Sequence, residues 1–217
     1  MTWDVIVPLK GLDSAKSRLS GLGAGLRRKL AEAMALDTVA AVAGCPRHVR
    51  VHVVCDDDQL GAAVLRLGAG VVLHRGAPPG LNAALTHVAE RLGGTSPVAA
   101  LLGDLPALLG EDLAEVLDRA TGVPRSTVAD RAGTGCTFLA ATAGQRLAPD
   151  FGPWSFARHV AGGATPLPAA PGVRQDVDVP ADLAAVARLG PGPRTSRLLS
   201  GVHGHGLLRL LDATATA

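Results

Sequence analysis

Two lysines and an arginine after the first apolar run are the first candidates for chemistry. The chain has only three lysines, and two of them, Lys10 and Lys16, lie in the segment VPLKGLDSAKSRLS at residues 7–20. The apolar run Val5–Leu9 predicts a buried strand that delivers this segment as a loop. A lysine ammonium is a compact charge, whereas arginine presents a planar fork. Lys10, Lys16 and Arg18 are therefore candidates for binding an anion.

Carboxylates follow or interrupt later apolar runs. Asp104 lies in LLGDLPAL, where an unpaired buried carboxylate would be costly. It therefore requires a metal ion or a strong donor, or it caps a helix after Pro106, and the local sequence leaves both open. Asp176 and Asp178 are two apart in DVDV, so on a strand both side chains would point to one face. Taken alone, that pair favours a solvated strand end over a functional site.

The elements that must position these residues alternate between strand and helix. The apolar runs 49–58, 68–76 and 97–108 predict further strands. Helices are predicted at 26–43, at 79–93 after a turn with Asn82 as a candidate cap, and at 111–120. This alternation predicts an α/β fold with three layers, a Rossmann-like, mostly parallel sheet with helices on both faces.

Ligands of such sheets bind beyond the carboxyl ends of the strands. The residues at those ends mix cations with carboxylates, which suits a nucleoside triphosphate with Mg²⁺. The candidate positions are Lys10–Arg18, Asp56–Asp58, Gly80–Asn82, Gly103–Asp104 and Asp176–Asp178.

The second half of the chain has a looser pattern. It predicts a hairpin over 126–141, a short helix beginning near Ser155, and a strand followed by a helix over 174–190. The segment 191–217 is rich in Pro, Gly and Thr, and we expect a loosely ordered tail. The predicted organisation is one domain over 1–190 followed by that tail.

Composition excludes several classes of protein. The formal charge is +2 without a run of like charges, so no nucleic-acid partner is expected. The three cysteines lack CxxC spacing, which predicts a reduced, cytoplasmic protein without disulfides or structural zinc. The apolar run near the start of the chain is too short for a signal peptide or a membrane span. A P-loop motif is absent, and GLGAG at 21–25 does not continue as GxGxxG.

Six motifs occur in the order typical of one family. They are VPLKxxxxAKSRL, GLNAAL at 80–85, GDLPAL at 103–108, GTGCTFL at 133–139, FGPWSFARH at 151–159 and RQDVDVPADL at 174–183. Together they resemble the guanylyltransferases of coenzyme F-420 biosynthesis, which join GMP to phosphoenolpyruvate or 2-phospholactate. The resemblance spans residues 3–190 and implies the nucleotidyltransferase fold shared with molybdenum-cofactor guanylyltransferases.

The resemblance also assigns roles to individual residues. It implies that Lys10, Lys16 and Arg18 contact the triphosphate of GTP, and that Gly80 and Asn82 lie against the guanine. Asp104 and Asp178 match the family's metal ligands, for Mg²⁺. Thr137, Gly152 and Ser155 match the positions that hold the phosphate and carboxylate of the acceptor.

Two positions depart from the family pattern, since Cys136 and Val179 stand where threonine is usual. Neither change removes a charge, so they bear on substrate positioning rather than on the class of reaction. His159 lies one turn after Ser155, and we interpret it as structural.

The implied reaction is attack of the acceptor's phosphate on the α-phosphorus of GTP, with pyrophosphate leaving. We favour phosphoenolpyruvate as acceptor, because the composition is typical of the lineage in which the enolpyruvyl route is expected. A homodimer and transfer of the product to a downstream enzyme are further expectations. Two other readings stay open: a glycosyltransferase that uses Asp176-Val-Asp178 as a DxD motif, and a silent nucleotide-binding regulator.

Overall fold

The computed structural model of the chain describes residues 1–12, 16, 18, 19, 21–68 and 70–201. The strands are β1 Trp3–Pro8, β2 Val49–Val54, β3 Val71–His74, β4 Val98–Leu101, β5 Arg125–Ala129, β6 Cys136–Ala141 and β7 Thr165–Pro166. The helices are α1 Ala24–Ala43, α2 Asp58–Leu65, α3 Leu81–Arg91, α4 Gly110–Ala120, α5 Ser155–Ala161, α6 Pro171–Arg174, α7 Pro180–Leu189 and α8 Pro193–Gly201. Within these described residues no helix is long and apolar enough to cross a membrane.

The strands form one sheet in the order β3-β2-β1-β4-β6-β5-β7. The neighbours from β3 to β4 are parallel, β6 is antiparallel to both β4 and β5, and β7 is parallel to β5. The predicted mostly parallel α/β sheet is confirmed, and β5 and β6 form the predicted hairpin.

The continuous apolar run of β1 reflects burial on both faces of the sheet. Val5 and Val7 pack in a core with side chains of α1, α2 and α4. Ile6 points to the other face, where it packs with Leu85 and Val88 of α3. A strand covered on both sides has no polar face, so its sequence does not alternate. The parallel strands therefore end together at one edge between two helical layers.

The predicted strand around Asp176 and Asp178 is wrong. Residues 171–174 form α6, and 175–179 run to α7 without strand pairing. The backbone N–H groups of Asp178 and Val179 both donate to Asp182 Oδ2, at 2.9 Å each. Because a side chain takes these two donors, they are not available to a neighbouring strand.

Part of the predicted loose tail is helical. Residues 193–201 form α8, and Thr195 and Leu199 of this helix are buried. The buried Asp37 of α1 accepts the backbone N–H of Thr195 at 2.7 Å and that of Arg194 at 3.2 Å. This carboxylate therefore holds α8 against α1. The remainder of the predicted tail, 202–217, lies outside the described residues.

Candidate active site

The side chain of Lys16 joins three segments that are far apart in sequence. Its Nζ donates hydrogen bonds to Asp104 Oδ2 and to the carbonyl of Val177, and it lies 3.5 Å from Asp178 Oδ1. Burial alone would lower the pKa of Lys16, but the carboxylates of Asp104, Asp178 and Asp176 raise it above the ordinary value. The loop after β1, the end of β4 and the 175–179 segment thus meet around one ammonium group.

Close contact between β1 and β4 determines where Asp104 lies. A Cβ at Gly103 would lie 2.8 Å from the carbonyl oxygen of Pro8, so only glycine allows this approach. Asp104 comes after the end of β4, and the next N–H, of Leu105, donates to Thr38 Oγ1 at 3.0 Å. Asp104 does not cap α4, whose N-cap residue is Leu109. In the structure Asp104 therefore has a strong donor, the Lys16 ammonium, and does not serve as a helix cap.

Asp176 adds a further carboxylate to this region. Burial, together with the charges of Asp104, Asp178 and Asp130, raises the pKa of Asp176 to about 7, although Lys16 acts in the opposite direction. Asp130, Asp176 and Asp178 also line a cavity of about 460 Å³, which we call the acidic cavity. Negative charge is therefore concentrated beside Lys16.

The carboxylates can supply two ligands to a metal ion. Asp104 and Asp178 both face the Lys16 ammonium, so a cation between them already has oxygen atoms from two segments. Within the described part of the chain, no three Asp, Glu, His or Cys side chains are arranged to hold a metal unaided. Two carboxylates suit Mg²⁺, which takes its other ligands from water and substrate phosphates. The donor set therefore fits a metal that is held jointly with a nucleotide.

The two other predicted cations lie further out. Arg18 Nη1 is 3.6 Å from Asp178 Oδ2, and the Arg18 side chain is 74% exposed. Lys10 is exposed, two residues beyond the end of β1. Arg18 therefore adjoins the Lys16 cluster, and the charged groups of Lys10 and Arg18 are both open to solvent.

The acidic turn Asp56–Asp58 supports the lysine loop instead of joining the cluster. Asp57 caps α2 by accepting the N–H of Leu60 at 2.9 Å, and its other oxygen accepts the N–H of Leu12 at 3.0 Å. These backbone hydrogen bonds lower the pKa of Asp57. Asp56 accepts the N–H of Gly76 at 2.8 Å. Asp58 accepts a hydrogen bond from the Arg75 side chain at 2.6 Å. The turn therefore anchors the start of the loop that carries Lys16.

Asn82 links the predicted guanine-binding turn to the predicted acceptor-binding loop. Its Nδ2 donates to the carbonyl of Phe151 at 3.0 Å, and its Oδ1 accepts the N–H of Phe151 at 2.7 Å. Asn82 does not cap α3, whose N-cap residue is Gly80, at a φ of 97° that favours glycine. The bonds to Phe151 use one N–H and one lone pair of the Asn82 amide, which leaves a second N–H and a second lone pair. Contact between Asn82 and guanine stays a prediction.

The three predicted acceptor ligands lie on β6, in the loop before α5 and at the first residue of α5. Ser155 is 1% exposed, and its Oγ accepts the N–H of Cys136 at 3.1 Å. Thr137 is fully buried, and its Oγ1 has no hydrogen-bond partner among the described residues. Gly152 is exposed in the loop. Because Ser155 and Thr137 are both buried, contact of their hydroxyl groups with an acceptor would require a local opening of the structure.

His159 is structural, as interpreted from the sequence. Its Nε2 accepts the N–H of Asp150 at 2.9 Å, so in the neutral ring Nδ1 carries the proton and faces Cys136 Sγ at 3.0 Å. Burial lowers the pKa of His159 to about 4, and burial raises the pKa of Cys136 to about 11. Both groups are therefore neutral at physiological pH.

Arg174 is a positioning residue that sequence reasoning missed. Its Nε and Nη2 donate to the carbonyls of Ala129 and Asp130, at 3.1 and 2.8 Å, and its own carbonyl accepts the N–H of Arg131 at 2.8 Å. These bonds tie the β5–β6 loop to the segment that leads to Asp178. Their partners are more than forty residues away, so no local pattern signals this role.

Comparison with known proteins places this geometry in a family. Residues 3–164 match the family described as "Guanylyl transferase CofC like". The chain belongs to this CofC-like family. The sequence resemblance to guanylyltransferases is thereby confirmed.

Relatives of this CofC-like chain are similar over nearly its whole length. It is 50% identical over 202 residues to a Streptomyces coelicolor protein named phosphoenolpyruvate guanylyltransferase, across 90% of this chain and 95% of that protein. A protein of the same name from Geodermatophilus obscurus is 47% identical, across 92% of this chain and 94% of its own length. Another from Mycobacterium marinum is 41% identical, across 90% of this chain and 93% of its own length.

Solved structures share the fold of the CofC-like chain at low sequence identity. A Desulfovibrio desulfuricans protein described as a nucleotide-diphospho-sugar transferase superimposes with a TM-score of 0.73 at 16% identity, covering 96% of this chain and 97% of that one. A nucleotidyl transferase from Methanothermobacter gives a TM-score of 0.58 at 19% identity, covering 87% and 97%. The predicted nucleotidyltransferase-like fold is confirmed.

Proposed function

We propose that this protein is a phosphoenolpyruvate guanylyltransferase of coenzyme F-420 biosynthesis, which transfers GMP from GTP to the phosphate of phosphoenolpyruvate and releases pyrophosphate. The observation that carries the proposal is the meeting of Lys16 with Asp104 and Asp178 at the carboxyl edge of the sheet. Relatives up to 50% identical bear the same name, which supports phosphoenolpyruvate over 2-phospholactate as acceptor.

The cations of the first loop would bind the triphosphate. Lys16 stays charged at neutral pH because neighbouring carboxylates raise its pKa. Lys10 and Arg18 are exposed close by. We propose that all three contact phosphate oxygens and offset the charge that develops on the leaving pyrophosphate. Gly80 would allow the guanine to approach the backbone at the start of α3.

Asp104 and Asp178 would hold a divalent cation, which we propose is Mg²⁺. They already contact a cation in the structure, the Lys16 ammonium, and Asp176, whose pKa is raised to about 7, is a partly ionised carboxyl nearby. When bound, Mg²⁺ would stabilise negative charge on the phosphate oxygens of the substrates.

The acceptor would be held by Thr137, Gly152 and Ser155. The partnerless hydroxyl of Thr137 supports this assignment, because a buried hydroxyl without a partner is costly. The acceptor's phosphate is already anionic at neutral pH, so no general base is required. Its oxygen forms a bond to the α-phosphorus of GTP while the bond from that phosphorus to pyrophosphate breaks, and the enzyme contributes positioning and charge.

The test is pyrophosphate release by the purified protein with Mg²⁺. Each of the four ribonucleoside triphosphates is supplied with phosphoenolpyruvate, with 2-phospholactate or without acceptor. We expect release only with GTP and phosphoenolpyruvate. Release with 2-phospholactate alone would correct the acceptor. GTP binding without release in any mixture would contradict the proposed enzyme and favour a regulatory nucleotide-binding protein.

The cellular context is also a proposal. We expect the protein in the cytoplasm. We also expect two copies to form a homodimer, which light scattering would detect, and the product to pass to a downstream transferase.

A further inference from the structure

A second cavity, of about 380 Å³, adjoins the acidic cavity, and Arg131 and Gln175 line both. Two more arginines, Arg174 and Arg188, line the second cavity, and its lining contains no acidic residue. We call it the basic cavity. Apolar side chains of α7, Ala185 and Leu189, form part of its wall. Its volume lies in the range of small-molecule sites, which is about 300–1,000 Å³.

The arginines of the basic cavity form no ion pairs within the described part of the chain. Arg131 and Arg188 are exposed and form no ion pair with any residue that the structure describes. Arg174 is half-buried and donates from Nε and Nη2 to the backbone carbonyls of Ala129 and Asp130, which do not cancel its charge. Three guanidinium groups therefore line a space in which the described residues place no carboxylate.

Gln175 supplies an independent indication of a ligand. The residue is 2% exposed, and its Nε2 donates to the carbonyl of Asp176 at 2.8 Å. A carbonyl oxygen only accepts hydrogen bonds, so this contact determines which end of the side-chain amide is which. The other end, Oε1, is buried and has no partner in the described part of the chain. A buried acceptor of this kind requires a donor.

We propose that the basic cavity binds a small phosphate monoester that also carries a hydroxyl or amino group. Guanidinium groups bind phosphate oxygens through pairs of charge-assisted hydrogen bonds, which accounts for the arginines. The hydroxyl or amino group would donate to Gln175 Oε1. The site uses none of Lys10, Lys16, Arg18, Asp104 or Asp178, so it stands apart from the proposed guanylyl transfer.

Binding of sn-glycerol 3-phosphate tests the proposal. The protein is titrated calorimetrically in buffer with EDTA and without GTP, and methyl phosphate and glycerol serve as comparison probes. We expect saturable binding of glycerol 3-phosphate with a Kd below about 1 mM. Methyl phosphate, which lacks the hydroxyl donor, should bind several-fold more weakly, and glycerol should not bind. Equal affinity for the two phosphates would overturn the role given to Gln175.

Exposed arginines provide matched variants. Arg131→Gln/Arg188→Gln removes two charges from the basic cavity and should weaken glycerol 3-phosphate binding by about tenfold or more. Arg66→Gln is the control, because Arg66 is also an exposed arginine at a helix C-terminus, next to β3 at the opposite end of the strand order. It should retain binding within about twofold of the wild type, as expected for an uninvolved surface charge. Equal loss in the control would overturn the proposal in favour of a general charge effect.

A third variant separates the basic cavity from the lysine loop. Lys10→Ala/Arg18→Ala removes two exposed cations of the loop and should leave glycerol 3-phosphate binding unchanged. Loss of binding in this variant, or absence of saturable binding by the wild-type protein up to about 10 mM, would overturn the proposal. The outcome is independent of whether the protein releases pyrophosphate from GTP.

Discussion

Lys16 has two structural consequences for the residues around it. As the buried cation between Asp104 and Asp178, it prevents the two carboxylates from facing each other uncompensated. It also places a positive charge where the proposed metal would lie. The binding of GTP and a metal would therefore change the partners of Lys16, from carboxylates to phosphate oxygens.

Asp104→Asn should separate catalysis from folding. Turnover should fall by about 10²-fold or more, because a ligand of the proposed Mg²⁺ and a charge at the reaction centre are both lost. The melting temperature should change little, because Lys16 retains Val177 and Asp178. Steady-state kinetics across a Mg²⁺ titration provide the measurement, and Asp118→Asn, which breaks an exposed pair with Arg47, is the control. Wild-type turnover in Asp104→Asn would contradict the assignment.

Asn82→Ala should act on the acceptor more than on the nucleotide. The variant loses both bonds to Phe151, next to Gly152, and should raise the KM for phosphoenolpyruvate by about tenfold while the KM for GTP changes less. Asn82→Asp keeps an acceptor for the Phe151 N–H and should have an intermediate effect. A rise confined to the KM for GTP would instead support direct contact between Asn82 and guanine.

At the scale of elements, the site depends on how closely strand ends approach each other. The carboxyl ends of β1 and β4 meet at Gly103, and Arg174 ties the β5–β6 loop to the segment before α7. The catalytic candidates lie just beyond these contacts. Small shifts of a strand end would therefore move Lys10 and Asp104 relative to each other.

Gly103→Ala tests this dependence. The new Cβ would lie 2.8 Å from Pro8 O, a backbone atom, so β1 and β4 must separate. We expect a loss of about 1–3 kcal/mol in the free energy of unfolding, and reduced turnover in the protein that remains folded. Gly122→Ala, where nothing lies within 4 Å of the added Cβ, should leave both unchanged. Denaturant melts and kinetics measure the two effects, and a fully active, stable Gly103→Ala would refute the close approach.

Across the whole molecule, buried ionisable groups make stability depend on pH. The buried Asp4 accepts two hydrogen bonds from Arg50, at 2.7 Å each, and one from His52 at 2.8 Å. His52 in turn contacts His74 at 3.0 Å. Burial opposes ionisation of Asp4, yet the bonds from Arg50 and His52 lower its pKa. Burial also lowers the pKa of His74.

The shifts of His159, His74 and Asp4 favour unfolding in acid, whereas the raised pKa of Asp176 favours the fold as pH falls through 7. His159 has a folded-state pKa of about 4, below its ordinary value of 6.5, so only the unfolded chain binds its proton between those values. Its neutral form stabilises the fold above pH 6.5, and this contribution declines as pH falls, by about 2 kcal/mol at pH 5. His74 acts in the same direction. The contribution of Asp4 is lost only at lower pH, below its ordinary value of 3.8.

Urea unfolding at pH 7.5, 6 and 5 measures this dependence. Because the raised pKa of Asp176 acts in the opposite direction over this range, the effect of His159 is measured as a difference between variants. Relative to its own value at pH 7.5, the free energy of unfolding of His159→Gln should be higher at pH 5 than that of the wild type by about 2 kcal/mol, from a lower starting value. The exposed His48→Gln should keep the wild-type slope. An unchanged slope in His159→Gln would show that His159 is not held neutral by the fold.

Local patterns in the sequence were sufficient to predict most of the architecture. Apolar runs indicated β1, β2 and β4, the glycine-rich turn at 133–135 indicated the β5–β6 hairpin, and the rule for parallel sheets directed attention to the strand ends. The need of Asp104 for a partner was also predictable, because a charge within an apolar run needs a partner whatever the fold. Such signals depend on each residue and its close neighbours in sequence.

Only the tertiary structure determined which groups become partners. Phe151 bonds to both polar atoms of Asn82 from 69 residues away, and Asp37 holds α8 across 158 residues to Thr195. A hydrogen-bonding side chain offers the same donors and acceptors in any fold. Which of them are used depends on packing between distant segments, and periodicity along the chain carries no information about that packing.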